Sequence, residues 1–400
     1  MTFARPQHLP AAVSGAPAHR AANSLDVAAL PAQERPVFCI SPSALQAQAK
    51  LFLDGFPGEV AYAVKANPGD EVIKALHAGG IEVFDVASTV EMATVTRLCG
   101  KVELHYHNPV KSLAEIATAW HTFGVRRFAA DCREEISKIA QVAGHASGAE
   151  VAIRFRLLSL KASVHDFSSK FGVNPAEAVD LVRFAVLNGF VPVLTFHPGS
   201  QCTDPQGWVR HIEAAASIAC DAGITLTKLN VGGGFPSRYA ASRAPRMDMI
   251  FNAIRDAATA AFGSDVPALE CEPGRALCAP GVSLQTRIKL VRRSTGDVFL
   301  NDGIYGGLME VSQAPDLMPF YRVIRDGHVL ELAGGSELTV FGPTCDPLDV
   351  LPHKLRLPAD VREDDVIEFA GIGAYGMATS TRFNGYGEAD LIEVGEVFNG

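Results

Sequence analysis

Short apolar, β-branched runs alternate along the chain with stretches whose apolar residues recur every third or fourth position. "EVAYAVKA" precedes "DEVIKALHAGG", "IEVFDVAS" precedes "TVEMATVTRLCG", and "KVELHYHNP" precedes "KSLAEIATAWHTFG". The first member of each pair reads as a buried strand and the second as an amphipathic helix. The runs "VRRFAADC", "EVAIRFRL", "FVPVLTFHPGS", "TLTKLNVGGGF" and "PALECEPGRAL" bring the strand count to eight by residue 272. Eight strand–helix units predict an α/β fold, a (β/α)8 barrel of the TIM type over residues 41–283. Beyond residue 285 the runs "VSLQTRIKLVRRS", "GDVFLNDGIYGG", "HVLELAGGSELTVFGPTC" and "DVIEFAGIGAYG" alternate between turns and predict a second, all-β domain, sandwich- or barrel-like. "RPVFCI" at 35–40 is placed in the same sheet, so this domain comprises residues 34–40 and 284–400. Residues 1–33 are Ala/Pro-rich without a usable period and are expected to form a flexible extension. A transit peptide is the sharper alternative, because the segment has Arg and few acids.

The polar residues support a barrel more than the count does. Lys65, Asp85, His107, Asp131, Arg154, His197, the run Gly232 to Gly234 and Glu272 all fall at predicted carboxyl ends of strands. Barrel enzymes keep their chemistry on that rim. A doubly wound open sheet also alternates strands and helices, but it gathers its groups at one crevice rather than around a ring.

Composition then narrows the partners. The chain of 400 residues is 48% hydrophobic and 20% charged, ordinary for a soluble protein able to bury a sizeable core. A net charge of -9 without a Lys/Arg stripe argues against nucleic acid and for a small-molecule partner. Eight Cys without a CxxC pair fit reduced thiols better than disulfides or zinc knuckles. No apolar run approaches the roughly 20 residues that span a bilayer, and the first residues lack a signal-peptide core, so a cytoplasmic location without membrane partners is expected.

Single residues suggest chemistry, each beside a plainer reading. Lys65 stands in apolar company, where a neutral amine able to form an imine with a carbonyl is favoured; an ion pair with an acid such as Asp85 is the alternative. "NVGGGFP" lets backbone N–H groups of Gly233 and Gly234 approach a phosphate, or is only a tight turn. In "ECEPGRA", Glu272 can keep a pyridine nitrogen protonated and Arg275 can reach a phosphate; a local salt bridge is the alternative. "FHPGSQCTDP" supplies His197, a flat ring able to stack on a flat cofactor, and Ser200, a phosphate donor; a lone His is more often a satisfied core group. His105 and His107 share one strand face as metal ligands do, but no further His or acid cluster at recognisable spacing completes a coordination sphere, so no metal is expected. "GPTCDPLD" puts Cys345 and Asp346 in a loop, where the thiol is reactive or inert according to its surroundings.

Together these motifs resemble the barrel-type (fold type III) pyridoxal-phosphate decarboxylases, the ornithine and diaminopimelate decarboxylase family. The likeness runs from about residue 36 to the end and rests on "YAVKANP", "FDVASTVE", "NPVKS", "SSKFG", "FHPGSQCTDP", "NVGGGFP", "CEPGRA", "NDGIYGG", "GPTCDPLD", "GAYG" and "FNGY" in family order. It implies a barrel that binds pyridoxal 5'-phosphate, with Lys65 carrying the cofactor imine, His197 stacked on its ring and Glu272 paired with its nitrogen. Asp85, Glu91 and Arg154 resemble residues that surround the lysine, and Ser200, Gly234, Arg275 and Tyr375 match phosphate-binding positions. Cys345 resembles the residue that reprotonates Cα, and Asp346 one that meets the substrate's distal amine. In relatives those two reach across a head-to-tail homodimer to complete the neighbour's site.

The substrate is read from the departures. Diaminopimelate-type members carry "GGGLG" and an Arg before a Pro in the second domain, where this chain has "GGGFP" and "DLMPFY". "CDPLD" and "FNGY" resemble the ornithine/lysine branch, which implies decarboxylation to a diamine and carbon dioxide, as in polyamine biosynthesis. A further acid of that branch, counted from Tyr305, falls on Ala314, with Glu310 and Asp316 nearby as substitutes. Diaminopimelate, or a larger conjugate as in siderophore assembly, is the alternative substrate. A non-catalytic regulator would have lost Lys65 or Cys345, and a racemase would need a second acid/base opposite the lysine.

Overall fold

The computed structural model describes residues 20–30, 34–145, 147–157 and 170–400. It divides into two compact units, Ala44–Pro280 and the remainder of the chain, residues up to Ser43 with Gly281–Gly400.

The second unit begins with β1 (Arg20–Asn23) and β2 (Val37–Ile40). In the first unit eight parallel strands close a ring: β3 (Glu59–Ala63), β4 (Val83–Val86), β5 (Glu103–Tyr106), β6 (Arg127–Ala130), β7 (Glu150–Arg154), β8 (Val191–Thr195), β9 (Lys228–Asn230) and β10 (Ala268–Cys271). β10 closes on β3 through Glu270↔Glu59 and Cys271↔Val60. Helices fill the connections, and their starts follow the capping rule. Asn174 opens Pro175–Leu187 as a capping box with Glu177, and Ser112 does the same for Leu113–His121 with Glu115. Outside the ring Phe52, Phe56, Phe235 and Phe251 pack edge-on into one aromatic cluster, with Trp208 tilted against Phe235.

Residues two apart on a strand share a face, and this sets up the barrel interior. Arg127, Ala129 and Asp131 form one such row; Glu150, Ala152 and Arg154 form the next. At the amino-terminal end Arg127 bonds Glu150 and Glu270, each at 2.5 Å, and donates to His105 Nδ1 at 3.2 Å. One step up, Ala129, Ala152 and Val193 pack as a small apolar layer. The top step of each row is the rim, where the predicted polar residues stand.

The second unit continues with β11 (Val282–Arg292), β12 (Asp297–Leu300), β13 (Tyr321–Arg325), β14 (His328–Val329), β15 (Ser336–Phe341), β16 (Leu355–Leu357), β17 (Val366–Phe369) and β18 (Asp390–Glu396). These join β1 and β2 in one sheet with the path β1-β18-β2-β11-β12-β15-β16, from which β17, β13 and β14 branch at β11. The sheet corrects the expected flexible extension in part: Arg20–Asn23 pairs in parallel with β18, and Asn23 caps the helix Ser24–Ala28 through a capping box with Asp26. The rest of that extension, residues 1–19 and 31–33, and Ser168 and Ser169 of "SSKFG", lie outside the described residues. No helix among the described residues is long and apolar enough to cross a membrane.

Candidate active site

β3 stops at Ala63, and Lys65 sits in the 3-10 turn Val64–Ala66 that follows. Its side chain is half exposed, so the charge expected inside a buried run is lifted out at the rim instead. Nζ donates to Asp85 Oδ2 at 2.9 Å, the ion pair weighed as the alternative for this lysine. Asp85 is buried on β4, and desolvation raises its carboxyl above the usual range while Lys65 opposes the rise. Glu91 accepts from Ala87 N–H at 2.6 Å at the start of the next helix, and burial raises it likewise.

Glu272 follows β10. Its Oε1 accepts from Asn230 Nδ2 at 2.6 Å and from His107 Nδ1. Burial works to raise this carboxyl, but His107, Lys65 and Asn230 outweigh it and hold Glu272 well below the ordinary range, ionised. His197, after β8, accepts from Gly199 N–H at Nδ1 (3.0 Å); burial, with Arg154 and Lys65 nearby, pushes it down to about 3, so its ring is neutral. Arg154 stands 5.5 Å over the Phe171 ring.

The glycine turn after β9 crosses the turn after β8 at close range. A Cβ on Gly232 would lie 1.9 Å from the Phe196 carbonyl oxygen, and one on Gly234 2.4 Å from that of Gly199; both have positive φ. On Gly233 it would meet the Glu272 carbonyl at 2.7 Å and His197 Nε2 at 3.2 Å. Arg275 is buried and does not pair with Glu272: it donates to Tyr239 Oη at 2.8 Å and to Ser200 Oγ at 3.4 Å. Ser200, the glycine turn and Arg275 therefore share one corner of the barrel.

In the second unit Tyr305 donates to Asp346 Oδ2 at 2.6 Å and packs on Phe383, ring centroids 4.8 Å apart. Cys345 is exposed, and both its N–H (3.1 Å) and its Sγ (3.2 Å) point to Asn384 Oδ1. Buried Asp349 accepts from Ile304 N–H at 3.0 Å and from the Thr344 N–H and hydroxyl at 3.0 and 2.7 Å, tying the Tyr305 loop to the Cys345 loop. Tyr375 lies between β17 and β18 with φ of 56°, and Glu310 lies in the short helix Met309–Gln313.

Sequence reading did not single out Asn230, Tyr239, Asp349 or Asn384. Asn230 is the last residue of β9 and carries the rim signal; Asn384 and Asp349 stand inside quoted motifs; nothing in sequence marks Tyr239. The metal reading is also altered. Acids do join the two histidines, Asp85 and Glu272 with His107, and Glu59 and Glu270 with His105, each set within 4.8 Å. They come from other strands, so spacing could not reveal them. In the lower set the Arg127 guanidinium supplies the positive charge, as its bond to Glu270 shows.

Residues 43–279 match the family model described as pyridoxal-dependent decarboxylase, pyridoxal binding domain, and residues 277–373 match the C-terminal sheet domain of the same family. The chain belongs to the pyridoxal-dependent decarboxylases: it is an amino-acid decarboxylase whose cofactor is pyridoxal phosphate. It is 31% identical to the lysine/ornithine decarboxylase of Selenomonas ruminantium over 82% of this chain and 81% of that one. It is 30% identical to the chloroplastic ornithine decarboxylase of Nicotiana glauca over 83% and 77% of the two chains. The structure of lysine/ornithine decarboxylase from Vibrio vulnificus complexed with putrescine superposes with a TM-score of 0.78 at 26% identity, covering 90% of this chain and 94% of that one.

The residues present suit this cofactor. An amine stands beside an acid, a largely buried carboxylate keeps one oxygen without a hydrogen bond among the described residues, and a serine hydroxyl, a buried guanidinium and a glycine turn share one corner. A carbonyl, a ring nitrogen and a phosphate need those three parts.

Proposed function

We propose that this protein decarboxylates ornithine or lysine to the corresponding diamine, with Lys65 holding the cofactor and the loop of Cys345 and Asp346 completing the site. The observation that carries the substrate assignment is the Tyr305–Asp346 pair, a half-buried carboxylate fixed in place by a phenol. An acid attracts a distal ammonium and repels the distal carboxylate of diaminopimelate.

Bound pyridoxal phosphate supplies a carbonyl that condenses with amines and a cationic ring that takes up the electrons left when a carboxylate departs. Lys65 is the amine that would hold it, and Asp85 keeps that amine oriented. Neutral His197 would cover one face of the ring, and Arg154 would add positive charge to the same pocket. Ser200, Gly233, Gly234, Arg275 and Tyr375 would hold the phosphate. Ionised Glu272 would keep a proton on the ring nitrogen. Cys345 returns a proton to Cα, and Asp346 with Tyr305 meets the distal ammonium, Glu310 adding a further acid for a longer chain. A head-to-tail homodimer in which Cys345 and Asp346 serve the neighbour's site follows the family resemblance, and the reduced cysteines suit a cytoplasmic protein.

The test is carbon dioxide release from ornithine, lysine, arginine and diaminopimelate by protein saturated with pyridoxal phosphate. Turnover of ornithine or lysine is expected, with Asp346→Asn raising KM for both by tenfold or more. Turnover confined to diaminopimelate, or an unaffected KM, overturns the substrate assignment. Borohydride should fix the cofactor on Lys65; label elsewhere overturns the lysine assignment. For the dimer, mixing Lys65→Ala with Cys345→Ala protein should restore roughly a quarter of wild-type activity, since half the random dimers carry one intact site of two. No recovery would mean that each chain completes its own site.

A further inference from the structure

Two donors serve a single oxygen of Glu272. His107 Nδ1 and Asn230 Nδ2 both bond Oε1, and Oε2 accepts no hydrogen bond among the described residues. An ionised carboxylate only accepts, so His107 carries a proton on Nδ1. Its Nε2 is buried and has no partner among the described residues, so that bond to Glu272 is the hydrogen bond the ring makes. The ring is also fixed on one face. It stacks on His105 at 5.5 Å between centroids and 30° between planes, and His105 is pinned by Glu103 at 3.0 Å and by Arg127 at 3.2 Å.

The third neighbour gives this arrangement its purpose. Asp85 offers a carboxylate oxygen within 4.8 Å of the ligand atoms of His107 and Glu272. Two carboxylates that close, both largely out of water, favour uptake of a proton by one of them. A donor bonded to one of the two acids removes that pressure and stops its carboxylate turning.

We propose that His107 is a positioning residue for the decarboxylase: with Asn230 it pins Oε1 of Glu272, keeps that acid ionised beside Asp85 and leaves Oε2 to meet the ring nitrogen of the cofactor. This rests on the assignment of Glu272 to that nitrogen. His107 itself touches neither cofactor nor substrate in this role.

The test uses holoenzyme loaded with ring-15N pyridoxal phosphate, comparing wild type, His107→Leu, which removes the donor but keeps bulk, and His107→Asn, whose amide can donate from near the place of Nδ1. Thermal unfolding of each cofactor-free protein checks the fold, and His107→Ala replaces the Leu variant if that one does not fold. In His107→Leu the nitrogen resonance should move toward the unprotonated position, and kcat should fall roughly tenfold to a hundredfold, the loss of one hydrogen bond to a charged group, with KM changed far less. His107→Asn should restore both. A wild-type resonance and kcat in His107→Leu overturn the proposal. So does an Asn variant as poor as Leu, since bulk rather than the donor would then matter. Glu272→Gln separates this from the underlying assignment: if it leaves the nitrogen resonance unmoved, the Glu272 assignment itself fails.

Discussion

The Cys345 thiol hangs on one amide oxygen. Asn384 Oδ1 takes both the backbone N–H and the Sγ of Cys345, and Asn384 reaches that position with φ of 53°, a left-handed conformation that Asn tolerates better than most residues. A thiol held by its S–H is oriented but less available to an external electrophile. Asn384→Ala should therefore speed alkylation of Cys345 by iodoacetamide several-fold, read by peptide mass, with exposed Cys220 as the internal reference. Equal rates in the two proteins would show that the amide does not restrain the sulfur. Nothing in "FNGY" announces this role, because the partner lies 39 positions earlier in the chain.

At the scale of elements, the sequence of the glycine turn after β9 suits a phosphate cradle or a tight turn, and the structure gives the turn a packing reason of its own. Gly232 is held under the Phe196 carbonyl with φ of 67°, so an added Cβ meets both backbone and strain. Gly232→Ala should cost at least about 2 kcal/mol, measured by urea unfolding of the cofactor-free protein, and should also weaken retention of pyridoxal phosphate by displacing Gly233 and Gly234. A variant as stable as wild type would mean that the two turns separate without loss. The barrel strands were legible because short apolar, β-branched runs and the Gly that close the intervening helices mark them locally, and because the rim residues are the polar exceptions in apolar runs. What joins them was not: Glu272 and His107 are 165 positions apart, and Lys65 and Asp85 meet only when two strands pair in register. β1, "RAAN", has neither alternation nor β-branched residues, so its order comes from its partner strand and cannot be read from its own composition.

Across the whole molecule, buried titrating groups in the two units pull stability in opposite directions as pH changes. His105, inside the barrel, is lowered to about 4 by burial, with Arg127 and His107 adding to the fall. The unfolded chain binds a proton near the ordinary value of about 6.5, so the stabilisation from neutral His105 is present above that pH and is lost as pH falls toward 4. Asp302 behaves in reverse. Burial raises it to about 7 against the bonds from the Gly307 and Gly303 N–H groups, with Asp349 adding to the rise. Its stabilisation is present below the ordinary carboxylate range and is lost as pH rises through about 7. Subtraction separates the two. His105→Gln keeps a donor and an acceptor for Glu103 and Arg127 but cannot titrate, so between pH 7 and pH 4 wild type should lose on the order of 3 kcal/mol relative to this variant. Urea unfolding of cofactor-free protein across that range measures the difference. Parallel pH curves for the two proteins would mean that His105 is protonated as readily in the fold as in water, and that the charged layer under the active site gives it no shelter.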